Sequence, residues 1–202
     1  MERYLAIGNS LTLHGKLEYW WNEVGMAASR EGKDYYSLVC DALRREYGLE
    51  SAERFNFAEW ERSSDRSSLL CKLRPFIEKK PTIVSIQLGE NVTDMTNYEG
   101  DLKELLGYLR SSLPGVKIIV VGDFWDMGKR NHARWEAAAA AGVLFASLED
   151  IAGKKEYQSA MGAKVFGDDG SEHIIAHEGV AAHPGDKGMQ AIADRIMREI
   201  RK

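Results

Sequence analysis

TIVSIQL, residues 82–88, carries four aliphatic side chains and no charge. A strand with one solvated face alternates apolar and polar residues, whereas a strand covered on both faces, as in a parallel sheet, stays apolar along its length. VKIIVV at 116–121 reads the same way, and shorter strand-like runs stand at 4–7, 54–57 and 143–147. Between them the period changes. Leu102, Leu105, Leu106 and Leu109 follow helical spacing, as do Leu38, Val39, Ala42 and Leu43. Met189, Ile192, Ala193, Ile196, Met197 and Ile200 form one apolar stripe behind Pro184, Gly185 and Asp186, with Asp186 expected as the N-cap. EAAAAAG at 136–142 reads as a helix stopped by glycine. Strands alternating with helices predict right-handed βαβ units, and so an α/β chain folded as a three-layer α/β/α sandwich, flavodoxin-like, with about five parallel strands.

With 202 residues, 44% hydrophobic and 29% charged, the chain can bury one sizeable core, and residues 1–202 are expected to form a single domain. Its 27 basic and 31 acidic residues give a net charge of -4 without a long block of one sign, which argues against a nucleic-acid partner. No run approaches transmembrane length and MERYLAIG has no signal-peptide core, so no membrane partner is expected and the expected location is cytoplasmic. Cys40 and Cys71 lack metal-ligand spacing and are expected to be buried free thiols.

Ligands of such a fold bind beyond the carboxyl ends of the strands, which directs attention to the loops there. After the first strand, YLAIGNSLTLHGK at 4–16 places a hydroxyl, Ser10, where the chain must turn. Six residues separate Gly8 from Gly15 and Leu17 follows Lys16, so this is not a P-loop, and no G-x-G-x-x-G occurs. A hydroxyl-rich loop could still cradle a flavin phosphate, which keeps a flavodoxin-like binding module as one alternative. The G-x-S-x-G elbow of α/β-hydrolases is absent. Covalent catalysis needs a nucleophile, a base and oxyanion donors. Ser10 in GNS, Asn91 in GEN and His183 in HPGDKGM supply those residue types from three such loops.

Together the blocks resemble the SGNH, or GDSL-type, hydrolases. GNSLT is similar to their first block, with Asn9 where Asp is common; LGEN resembles the G-x-N-D block, with Val92 in place of its Asp; HPGDKGM is similar to the terminal H-P-x-x-x-G block. GNSLTLHG, GMAAS, KDY and GENV further resemble a bacterial subgroup. The resemblance implies Ser10 as nucleophile, His183 as general base, and the Ser10 N–H and Asn91 amide as oxyanion donors. It implies no cofactor and no metal. Where the family's second block has a glycine, NFAEWERSS places Glu61, whose backbone N–H becomes the expected third donor. The family's acid position holds Val180. Glu178, Asp186, the Asp168–Asp169 pair, Asp123 or a backbone carbonyl is left to orient His183, with a Ser–His dyad favoured and Glu178 the nearest upstream carboxylate.

His173 and His177 could share one helix face with Glu172 and Glu178 nearby, but this is not H-E-x-x-H and a third ligand is unassigned, so no metal is expected and the pair reads as surface histidines or a wall of the acyl pocket. Trp21 and Trp125, with Tyr19, Trp20 and Phe124, would stack on a sugar ring or cover an acyl chain, or else form a satellite core. Arg62 and Arg66 would bind an acidic substrate group, or stand as solvated charges beside Glu59, Glu61 and Asp65. The long connection from Ser10 toward Tyr35 suggests a functional loop. The expected protein is a cofactor-free serine ester hydrolase acting on a small-molecule ester. It removes short acyl groups, for instance acetyl from a carbohydrate or small alcohol, through an acyl-enzyme at Ser10. A thioesterase or lysophospholipase would need a longer apolar trough, and a catalytically silent module would hold Ser10 and His183 apart. The sequence leaves the oligomeric state open.

Overall fold

The computed structural model describes residues 1–125 and 128–202. Strands β1 (Glu2–Gly8), β2 (Leu49–Asn56), β3 (Ile83–Gln87), β4 (Lys117–Val121) and β5 (Leu144–Ala146) form one parallel sheet in the order β2-β1-β3-β4-β5. The helices are α1 (Tyr35–Tyr47), α2 (Ala58–Arg62), α3 (Arg74–Ile77), α4 (Tyr98–Ser112), α5 (Gly128–Ala141), α6 (Glu178–Ala181) and α7 (Asp186–Ile200). This is the three-layer α/β/α arrangement expected from the apolar runs. No helix among the described residues is long and apolar enough to cross a membrane.

Alternation along the buried strands divides their side chains between two cores. Tyr4 and Ala6 of β1 join α1 and α7, whereas Leu5 and Ile7 join α4 and α5. In β3, Ile83 belongs to the first core and Val84 and Ile86 to the second. Ser85, buried on the first side, bonds the Tyr4 hydroxyl at 2.6 Å, so its polarity is satisfied. The apolar stripes read at Leu102–Leu109 and Met189–Ile200 are the faces that α4 and α7 lay on the sheet.

Four departures have physical reasons. β2 starts at Leu49, well before the run at 54–57, because an edge strand in which Glu50 and Ser51 are exposed does not read as an apolar run. A hairpin of β6 (Lys164–Phe166) with β7 (Glu172–Ile174) was not expected; three-residue strands give too short a period to recognise. Asp186 is not the N-cap of α7: Gly185 is, without a side-chain bond, and Asp186 accepts from the Ser29 N–H at 2.8 Å and hydroxyl at 2.7 Å. The carboxylate thus anchors the long first loop to α7. Cys40 is buried as expected, but Cys71 is exposed on a 3-10 turn at Ser67–Leu73.

Gly89 ends the β3 connection at φ +132, where a Cβ would stand 2.1 Å from the Tyr98 hydroxyl and 2.6 Å from an Arg134 nitrogen. Backbone strain and overpacking act together there. Gly89→Ala is expected to cost about 2–4 kcal/mol of stability, read as a lowered midpoint in urea unfolding.

Candidate active site

The parallel register sets Gly8 of β1 opposite Asn56 of β2 and Gln87 of β3, so three strands end level. Strand order reverses between β1 and β3, and the loops there diverge to leave a cleft. Its volume is about 390 Å³. Ser10 lies two residues beyond β1 in a tight turn closed by Thr12 and Leu13 N–H groups on the Asn9 carbonyl, both at 3.0 Å. The Asn9 side chain accepts from Leu11 N–H at 3.1 Å. The Ser10 N–H meets no protein acceptor among the described residues.

His183 reaches Ser10 from the other end of the chain, with its Nε2 2.8 Å from Ser10 Oγ. Helix α6 and the turn after it aim the ring: the His183 N–H donates to Val180 O at 3.0 Å, and the His183 carbonyl accepts from Ser159 N–H at 2.8 Å. Its Nδ1 lies 2.6 Å from the Gly179 carbonyl. A carbonyl can only accept, so Nδ1 carries the proton and Nε2 turns its lone pair toward Ser10. Trp125 meets the imidazole edge to face at 5.2 Å, and its Nε1 donates to Ala182 O at 3.0 Å. Burial pushes the imidazole down to about 4; the Gly179 carbonyl opposes this and His14 and His177 add to it. At neutral pH the ring is uncharged and able to take a proton.

The carboxylates weighed as orienting acids are occupied elsewhere. Asp123 holds Arg130 at 2.8 Å, Asp168 holds Lys16 at 2.7 Å, and Asp169 receives Ser171. Glu178 lines a separate depression beside Met161 and Ala182. Among the described residues the Gly179 carbonyl is the partner of Nδ1.

Asn91 borders the cleft with Ser10. One amide hydrogen goes to Glu61 Oε2 at 2.6 Å, and the amide oxygen accepts from Arg62 at 3.4 Å. Glu61 itself corrects an expectation: it sits in the one-turn helix α2, 1% exposed, and does not line the cleft. Its carboxylate lies beneath the site instead. Trp21 is a second correction, since it stacks on His173 at 4.2 Å and 3° and does not line the cleft. Trp125 brackets the histidine rather than the opening. Arg62 does line it, together with Tyr19, His14, Glu59 and His177. Of these Tyr19 was visible only as one aromatic among several and His177 only as one of a histidine pair, while His14 and Glu59 carried no motif. His173 and His177 do not share a helix face: His173 lies in β7, whereas His177 caps α6 and stacks on Tyr19 at 4.2 Å.

The five-stranded parallel sandwich is an architecture that solved structures share. The psychrotrophic esterase EstA from Pseudoalteromonas sp. superposes with a TM-score of 0.62 at 16% identity, over 100% of this chain and 97% of its own. The extracellular lipase of Streptomyces rimosus gives 0.62 at 14% identity, over 98% and 100%. A two-domain esterase active on acetylated mannans gives 0.66 at 14% identity, over 99% of this chain and 48% of its own. The fold is therefore that of the SGNH, or GDSL-type, hydrolases. No protein-family model matches the sequence, and no curated protein does.

A proton binds the unfolded chain's histidine near pH 6.5 and the folded one only near 4. Between these values the unfolded state holds more protons, so the contribution of His183 to stability falls as pH drops from about 6.5 to about 4 and then levels. Histidine-resolved NMR titration should show one imidazole with a midpoint near pH 4, lost in His183→Ala.

Proposed function

We propose that the protein is a serine ester hydrolase that removes short acyl groups through an acyl-enzyme at Ser10. The observation that carries this is the 2.8 Å contact between Ser10 Oγ and His183 Nε2, with the tautomer set by the Gly179 carbonyl. In this mechanism Oγ attacks the ester carbonyl while Nε2 takes its proton. The oxyanion is received by the Ser10 N–H and the free hydrogen of the Asn91 amide. His183 then protonates the departing alcohol, and a water activated by the same nitrogen releases the acid.

The lining supports a short acyl group and a polar alcohol. Met26, Ala58 and Val180 are the aliphatic contributions, set among Asn56, Arg62, Asn91 and the histidines. A long acyl chain needs a continuous apolar trough, which this wall does not offer, so thioesterase and lysophospholipase activities fit less well. Tyr19 on its stacked His177 presents a flat face suited to a sugar ring. Likeness in fold to an esterase active on acetylated mannans and to a carbohydrate esterase from Cellvibrio japonicus supports the same choice. Arg62 stands ready for an acidic substituent.

Treatment with a fluorophosphonate followed by intact-mass measurement is expected to add one adduct to the wild type and none to Ser10→Ala or His183→Ala. A folded wild type without an adduct would sink the hydrolase reading. In steady-state assays on an acetyl ester, Asn91→Ala should lower kcat by roughly 10²–10³, the usual effect of losing one oxyanion donor, with a smaller change in KM.

A further inference from the structure

Beneath the cleft, the Glu61 carboxylate collects N–H groups from two separate catalytic loops. Asn9 Nδ2 donates to it at 2.9 Å, Asn91 Nδ2 at 2.6 Å and Asn91 N–H at 3.4 Å, and the Gly89 N–H donates as well. No arginine, lysine or histidine forms an ion pair with this carboxylate among the described residues. Arg134, the buried cation nearby, is committed to Glu90 at 2.8 Å and stands 3.6 Å from Asp123; Arg66 reaches only the Glu61 backbone carbonyl, at 3.1 Å. Glu90 lies close enough to share Asn9 Nδ2, at 2.8 Å. Burial first, and the Glu90 charge second, push the Glu61 carboxyl upward, while its N–H donors pull it down.

A buried carboxylate without a cation, next to another carboxylate, is a costly choice if the only need is to fill space. An apolar side chain would serve packing better. What a carboxylate does here, and an apolar group cannot, is decide which way an amide points. Asn91 can turn either its NH₂ or its oxygen toward the cleft. With one amide hydrogen fixed on Glu61 Oε2, the second is left to donate to an oxyanion in the cleft that Asn91 borders with Ser10. Released from Glu61, the amide can rotate and present its oxygen to a developing negative charge.

We propose that Glu61 is a positioning residue for ester hydrolysis, holding the Asn91 amide in the orientation that receives the oxyanion. This rests on the Ser10–His183 hydrolase reading. Glu61 touches no reacting atom; it acts through Asn91. A glutamine at the position would place NH₂ against the NH₂ of Asn9 or Asn91, so the conservative change is expected to disturb the orientation rather than preserve it.

The test compares wild type, Glu61→Gln, Glu61→Met, Asn91→Ala and the Glu61→Gln/Asn91→Ala double variant in kcat and KM on p-nitrophenyl acetate, with fluorophosphonate adduct formation measured in parallel. Glu61→Met removes the charge while keeping the volume, so it provides a folded variant if Glu61→Gln does not fold. The expected result is a kcat at least about 10-fold below wild type in either variant with KM within about 3-fold. Once Asn91 is alanine there is no amide left to orient, so the double variant should lie within about 3-fold of Asn91→Ala. A folded Glu61→Gln or Glu61→Met with wild-type kcat, or losses that multiply in the double variant, would overturn the inference while leaving the hydrolase reading intact. A wild type that neither turns over ester nor takes the adduct would overturn both.

Discussion

Parallel pairing of β1 with β2 on one side and β3 on the other, in one register from Tyr4 to Gly8, is the constraint on which the cleft depends. The register cannot drift, because a slip of one residue would carry Tyr4 and Ala6 into the core now filled by Leu5 and Ile7. It would also displace Ser10 along the sheet by about 3.3 Å relative to Asn91, more than a hydrogen bond tolerates. The apolar cores on the two faces therefore fix where the cleft stands, and of their buried members Met26 and Val180 border it.

Polar groups under the switch point form the second layer of order. Gln87 donates to Glu90 at 2.6 Å, Glu90 pairs with Arg134, and Asp123 holds Arg130 while its Oδ1 accepts from Trp125 N–H at 2.8 Å. Arg134 is held firmly in its charged form because Glu90, Tyr98 and Asp123 outweigh the burial that opposes it. In a low-dielectric interior such contacts are far stronger than the exposed pairs on the surface, of which Lys72 with Glu59 at 2.6 Å is typical. One strand-end side chain thereby braces the next: Gln87 and Glu90 the Ser10 turn through Asn9, Asp123 the wall behind His183 through Trp125.

The apolar strands and amphipathic helices were legible in the sequence because burial imposes a period. The two ends of the proposed proton path, Ser10 and His183, were legible because each stands in a short block at a strand end or helix entrance. Glu61 was noticed as a backbone donor, from its position in the second block, whereas the structure buries it in the one-turn helix α2, away from the cleft lining. A carboxylate bonded to two other loops leaves no local pattern, since its partners are 28 to 52 residues away in the chain. The aromatic residues failed for a related reason. Trp21 and Trp125 read alike in sequence, and only tertiary contacts separate one that stacks on the β6–β7 hairpin from one that braces His183.

The partner of His183 Nδ1 belongs to the main chain, and that alters how the site can vary. Every residue has a carbonyl, so no single replacement at position 179 deletes this acceptor as replacing an aspartate deletes a carboxylate. A carbonyl also has no proton to gain in mild acid. The orientation of the His183 ring is therefore inherited from the path of the α6 turn, not from the identity of a side chain. Selection on it would act through helix geometry, and a search for a third polar residue at fixed spacing before the histidine would pass over such chains.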